Sequence, residues 1–160
     1  MIIKKIHDDL EILLDNKRII FDPTKIKDNL DCITILSDIQ KNLNTNKFFN
    51  LPGEYEVQGV YFKGYLSNKS LIYVFNYKGI NFIYLTDNIN DGLLNQILDE
   101  WGEIDIALIK GKLPDLLKIK NKLKLKILID VDNKNNIKGE KVKEAKINVK
   151  KIEEKDYILV

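Results

Sequence analysis

Leu71-Ile-Tyr-Val-Phe-Asn-Tyr77, then Lys78-Gly79, then Ile80-Asn-Phe-Ile-Tyr-Leu85 decides the fold class. Two runs of β-branched and aromatic residues flank a two-residue turn, which is the pattern of a buried β-hairpin. The chain before it has the same rhythm. Residues 2–6 and 10–14 are largely apolar, Asp15-Asn16 is a turn signal, and residues 18–21 form a second arm. Asp22-Pro23 ends that arm, because Pro23 has no N–H to donate. Residues 32–36, Cys-Ile-Thr-Ile-Leu, read as a buried strand. Residues 24–30 are polar loop, and residues 37–47 are loop or a short weak helix. After Pro52-Gly53 the alternation over residues 55–63 is imperfect and marks Gly59 as a bulge.

Beyond residue 88 the period changes. Asn90 or Asp91 caps a helix whose Leu93, Leu94, Ile97, Leu98 and Trp101 fall at helical spacing, and Gly102 stops it. Residues 104–109 read as a strand, Pro114 opens a short helix to Leu123, and residues 126–131 are a further buried strand. Residues 145–151 suit an edge strand, and residues 157–160 form an apolar tail able to join a sheet. Hairpins followed by strand–helix–strand predict a mixed α/β domain built in layers. With neither repeat nor linker, residues 1–160 read as one domain.

Composition narrows the function classes. The 160 residues carry 26 Lys and Arg against 24 Asp and Glu, a net charge of +2, so global charge makes no case for nucleic acid. Cys32 stands alone, which excludes an internal disulfide and fits a reducing compartment. The opening Met-Ile-Ile-Lys-Lys-Ile is too soon followed by Asp8, Asp9 and Glu11 for a signal peptide. No apolar run approaches the roughly 20 residues that span a bilayer, so no membrane partner is expected and the cytoplasm is the expected location. His7 is the single histidine. A catalytic zinc takes about three protein ligands plus water, so one His and one Cys cannot build the usual His-rich site.

Several landmarks together resemble the zinc-dependent-hydrolase branch of the metallo-β-lactamase fold. The most specific is Leu51-Pro-Gly-Glu-Tyr-Glu-Val-Gln-Gly59, similar to that branch's PGEYEV-x-G signature. Ile6-His7 followed by Ile19-Ile-Phe-Asp-Pro23 resembles its LGH … ILIDP start. Asp31-Cys-Ile-Thr-Ile35 looks like the strand that leads to the metal loop. Residues 77–87 and Ile104-Asp-Ile-Ala-Leu108 resemble two later strands, in the family's order. The resemblance implies a four-layer αββα sandwich, here shortened, with metals held by loops at one edge of the two sheets.

It also implies an H-x-H-x-D-H zinc signature straight after the strand ending at Leu36. The matching stretch is Ser37-Asp-Ile-Gln-Lys-Asn42. Ser37 and Ile39 take the first two His positions, Lys41 the Asp position and Asn42 the last His position. A His expected after Gly64 is replaced within Tyr65-Leu-Ser-Asn-Lys69, and one expected after residue 129 is replaced by Asp130 or Asp132. Only Asp87 matches a ligand by type. His7 matches a position near the site that is not a ligand. The residues present do not suit zinc, because Ile39 has no donor atom, Lys41 is a cation, and Ser37 and Asn42 are poor ligands beside imidazole.

These features predict a non-catalytic protein of this fold, without cofactor, that acts as a binding or assembly subunit in a homo- or hetero-oligomer. The tail 157–160 or the strand near Ala145 is its candidate pairing edge. A second reading is a divergent hydrolase in which Asp22, Asp38, Asp87 and Asp132 hold Mg²⁺ or Ca²⁺. A third is a nucleic-acid-associated protein using the basic segment that includes Lys110, Lys112, Lys118, Lys120 and Lys122, although no aromatic residue interleaves there. The bland readings make His7 a hydrogen-bonded structural residue, Asp87 a turn or cap carboxylate, Cys32 a core residue and the lysines a solvated helix face.

Overall fold

The computed structural model describes residues 1–24, 32–39, 48–68 and 70–160. In chain order the strands are β1 (Ile2–Ile6), β2 (Asp9–Leu14), β3 (Lys17–Phe21), β4 (Cys32–Ile35), β5 (Gly53–Val57), β6 (Val60–Ser67), β7 (Ser70–Tyr77) and β8 (Ile80–Leu85). Helix α1 (Asp91–Trp101), β9 (Ile106–Ile109), α2 (Leu116–Leu123), β10 (Ile127–Asp130), β11 (Glu140–Val142), β12 (Glu144–Lys146) and β13 (Tyr157–Leu159) follow. They make a five-stranded sheet in the order β12-β1-β2-β3-β4 and an eight-stranded sheet in the order β11-β13-β10-β9-β8-β7-β6-β5.

Alternation along the strands gives each sheet an inner face. Ile3, Leu10, Ile12, Ile19 and Phe21 of the small sheet share one buried cluster with Phe62, Tyr73, Phe75, Phe82 and Tyr84 of the large sheet. Phe21 lies 4.4 Å from Tyr84 and Phe75 lies 4.5 Å from Phe82, centroid to centroid. The outer face of the large sheet forms a second cluster, in which Ile72, Val74, Ile83 and Leu128 meet Leu94 and Ile97 of α1 and Leu116 and Ile119 of α2. Both helices therefore pack on one sheet. Among the described residues no helix is long and apolar enough to cross a membrane.

Three buried tyrosines tie the sheets together across the core. The hydroxyl of Tyr73 donates at 3.0 Å to the Phe49 carbonyl and lies 3.1 Å from that of Leu36, Tyr77 donates to Asp15 at 2.7 Å, and Tyr84 donates to Asp22 at 2.6 Å. A buried phenol needs such a partner, and each partner here lies on or beside the small sheet.

The expected hairpin at residues 71–85 is β7 and β8, with Lys78 at φ 52° and Gly79 at φ 80° in the turn. Helix α1 is capped as expected: the Asn90 side chain accepts from the Leu93 N–H at 2.8 Å, and Gly102 ends it at φ 71°. Three expectations need correction. Gly59 is no bulge: Gln58 at φ 52° and Gly59 at φ 72° form a tight turn that splits the 55–63 run into β5 and β6. The strand near Ala145 is only Glu144–Lys146, at the edge of the small sheet against β1. The tail is an inner strand, since β13 pairs with both β10 and β11, so both its edges are already used.

Candidate functional site

Parallel strands end together, and the residues just past their C-terminal ends share one edge of the molecule. Here β3 runs parallel to β4 in the small sheet, and β8, β9 and β10 run parallel in the large one. Asp22 follows β3, Ser37 and Asp38 follow β4, Thr86 and Asp87 follow β8, Lys110 and Gly111 follow β9, and Asp132 follows β10. All of these line one cavity of about 520 Å³, with Ser70 at the start of β7. Gly111, at φ 97°, turns the chain directly behind Lys110.

Asp22 is the most fully bonded acid of the set. It accepts from the Ser37 N–H at 2.6 Å, the Ser37 hydroxyl at 2.8 Å and the Tyr84 hydroxyl at 2.6 Å. Burial drives the Tyr84 phenol well above its usual range, and the negative charges of Asp22, Asp132 and Asp38 add to this. Asp132 is held by the ammonium groups of Lys5 at 3.0 Å and Lys134 at 3.2 Å. Burial pushes its carboxyl up, and these two cations outweigh burial and leave it below the ordinary carboxylate range. Asp87 accepts from the N–H of Asn88 at 2.7 Å. The Lys110 ammonium lies 3.4 Å from the Asp22 carbonyl oxygen. The hydroxyls of Ser70 and Thr86 are buried without a hydrogen-bond partner among the described residues.

Of the expected site residues, Ser37, Asp87 and Asp132 are brought together, and so are the acids Asp22 and Asp38. Ile39 is exposed and does not line the cavity. Lys41 and Asn42 lie outside the described residues. His7 is elsewhere. It sits at φ 58° in the turn between β1 and β2 and lines a second cavity of about 510 Å³ with Asp9, Glu11, Arg18 and Cys32. Cys32 lines this second cavity too, on the face of β4 opposite Ile33 and Ile35, so it is not between the sheets. Asp130, the other candidate beside Asp132, is buried and organises its own loop by accepting from the N–H groups of Asn135 at 2.7 Å and Lys134 at 3.4 Å.

Sequence reading missed Lys5, Ser70, Thr86 and Lys134 as site residues. For Thr86 the strand-end rule was the available signal. Lys5 carried none, since its partner Asp132 lies 127 residues away. The basic segment divides. Lys118 and Lys122 pair with Asp91 at 2.7 and 3.2 Å, Lys120 pairs with Asp156, and Lys126 pairs with Asp105 at 2.6 Å. Lys112 is exposed, and Lys110 belongs to the strand-end cavity.

Among the described residues the donors lining the strand-end cavity are oxygen and ammonium, with no imidazole or thiolate. This set does not fit zinc, which takes nitrogen and sulfur ligands and needs them neutral or anionic. Among the described residues no group of three or more His, Cys, Asp or Glu is arranged to hold a metal ion.

No family model matches the chain, and no curated protein matches it. Among solved structures it is similar to a candidate Zn-dependent hydrolase of the metallo-β-lactamase superfamily from Thermotoga maritima. The two share 20% identity and a TM-score of 0.73, over 99% of this chain and 97% of the other. At that identity the likeness concerns the backbone: the chain has a fold similar to that of a metallo-β-lactamase superfamily protein.

Proposed function

We propose that the chain is one non-hydrolytic domain of the metallo-β-lactamase type, an αββα sandwich shortened so that the described helices cover only the large sheet, acting in the cytoplasm as a binding or assembly subunit. The observation that carries this reading is the lining of the strand-end cavity. Hydrolysis by this fold type needs a dication that lowers the pKa of a bound water to about 7. The strand-end positions instead present Ser37, Thr86, Lys110 and carboxylates, two of which are already held by the protein's own donors. The exposed edge β12 is the candidate surface for pairing with a second chain.

Metal analysis and turnover test this together. Purified protein is expected to carry far less than one zinc per chain and to leave nitrophenyl esters and phosphodiesters intact with added Zn²⁺. Stoichiometric zinc with turnover sinks the reading.

One observation favours a second reading, a carboxylate-based metal hydrolase: Asp22, Asp38, Asp87 and Asp132 do line one cavity. Turnover that appears with Mg²⁺ or Mn²⁺ and vanishes in Asp87→Asn would select it. The nucleic-acid reading draws less support, because four lysines of the basic segment already have carboxylate partners. Binding of a labelled oligonucleotide at low salt, weakening steeply as salt rises, would revive it.

A further inference from the structure

We infer that the exposed edge of β12 pairs with the same strand of a second copy of this chain, antiparallel about Ala145, joining two five-stranded sheets into one. The inference rests on the binding-or-assembly reading above and names its partner. Strand β12 is Glu144-Ala145-Lys146, and it closes one end of the small sheet against β1. Ala145 is fully buried in the core between the sheets, and Lys146 is exposed on the other face. Just beyond them Met1 and Ile147 exchange two bonds. The Ile147 N–H donates to the Met1 carbonyl at 3.0 Å, and the Met1 ammonium donates to the Ile147 carbonyl at 3.3 Å. Bonded and unbonded pairs alternate along an antiparallel ladder. Ala145 therefore turns its backbone groups to Ile3, and Glu144 and Lys146 turn theirs away from β1. Among the described residues they meet no other strand, and such a row is a ready template for one more.

The charges on this edge select a second copy. A two-fold axis at Ala145 sets Glu144 opposite the partner's Lys146 and Lys146 opposite the partner's Glu144. Both pairs are oppositely charged, and both have the backbone groups that face outward. The strand registers carry the pattern onward, since Glu144 lies beside Lys4 and Lys4 beside Glu11. The joined face therefore runs from Lys146 to the partner's Glu144, the partner's Lys4 and the partner's Glu11, with charge alternating from strand to strand. Within one chain Lys146 and Glu144 already meet at 3.0 Å, and their side chains are 72% and 41% exposed. Exchanging one exposed partner for another costs little. The other sheet edges lack this property. An axis at the centre of β5 sets Glu54 against the partner's Glu56, and one at the centre of β11 sets Glu140 against the partner's Val142. Beside β4, Phe49 already bonds to Thr34 and Leu36, at 3.0 and 2.9 Å. A three-residue edge is a small interface, so the dimer is weak, and its charges set register and orientation more than affinity.

The test is sedimentation velocity over a concentration series on wild type, Glu144→Lys, Lys146→Glu and the double reversal, each checked for fold by circular dichroism. Wild type is expected to dimerise as concentration rises. Each single reversal sets like charges opposite one another at both ends of the strand and should weaken association by roughly tenfold or more. The double variant Glu144→Lys/Lys146→Glu restores opposite charges and should recover dimerisation. An equal mixture of the two single variants should recover it too, because each complements the other although neither complements itself. That mixture also guards against misfolding, since a misfolded variant would not pair in it. A wild type that stays monomeric at every concentration overturns the inference and leaves the non-hydrolytic reading standing. Single reversals that dimerise as well as wild type do the same. Zinc-dependent turnover by wild type removes the non-hydrolytic reading and leaves the edge pairing to be decided by sedimentation.

Discussion

Two cavities of nearly equal size, about 520 and 510 Å³, meet at Pro23 and differ in almost everything else. The first is at the strand ends, where loops of both sheets converge. Two of its acids, Asp22 and Asp132, are tied to a hydroxyl or an ammonium group of the opposite sheet. The second lies on the outward side of the small sheet and holds His7 and Cys32, the chain's single histidine and single cysteine. The imidazole and the thiol thus line one cavity, and Asp22, Asp38, Asp87 and Asp132 line the other. A metal site needs its ligands within about 2–3 Å of one point, so the inventory of donors matters less than their address.

The two cavities also differ in how they are held, and mutation can sharpen or break that contrast. The largest effect is expected from Asp22→Ala. It strips the acceptor from three donors, one of them the fully buried Tyr84 hydroxyl, and puts alanine at φ 45°. A loss of about 3 kcal/mol in urea unfolding is expected, with Asp22→Asn losing less. A loss no larger than that of Glu11→Ala would mean that the strand-end cavity is not the better built of the two.

Glu11 is the matching test on the outward side. Its side chain is 5% exposed and pairs with Arg18 and, at 3.5 Å, with Lys4. Removing it strands two cations that can still reach water, so Glu11→Ala is expected to cost about 1–2 kcal/mol by the same measurement.

A third, smaller effect lies away from both cavities and serves as a control. Lys63, Tyr65 and Gln96 all donate to Glu100, at 2.7, 2.6 and 2.9 Å, and Trp101 donates to the Tyr65 hydroxyl at 2.7 Å. The Lys63 ammonium first, then the two neutral donors, hold the Glu100 carboxyl down to about 2, against an ordinary 4.5. A carboxyl lowered in the folded state stabilises the fold above its unfolded pKa, and that contribution fades as pH falls toward the folded value. Stability measured from pH 5 down to about 2 should therefore fall more steeply in wild type than in Glu100→Gln. Equal slopes would remove the network's role in docking α1 on β6. The smallest effect is expected at Asp38→Asn, within about 0.5 kcal/mol, because the residue is exposed and unpaired among the described residues. A larger change would place Asp38 among the acids that hold the cavity together.

How much could be read in advance follows the range of the interactions. The β7–β8 hairpin and the capped α1 are local: turn, period and cap lie within a few residues of one another. β11, Glu-Lys-Val, went unread because it is a three-residue strand with no apolar period, and only its pairing with β13 gives it a place. The strand-end acids were legible once order along the chain was matched to a known fold. The lysines were not. Lys118 and Lys122 find Asp91 at separations of 27 and 31 residues, and Lys120 finds Asp156 at 36. A run that reads as a basic surface is largely paired once folded, and Lys110 turns out to belong to the site.

The hydroxyls of Tyr73, Tyr77 and Tyr84 have one more effect. Oily contact between two sheets is tolerant of sliding, because apolar attraction has no preferred direction. Three directional bonds, anchored at Phe49, Asp15 and Asp22, pin the sheets against lateral slip at separate points. A recess whose walls come half from each sheet keeps its outline only if the halves stay aligned. These phenols therefore act as dowels, setting the shape that any visiting molecule would meet.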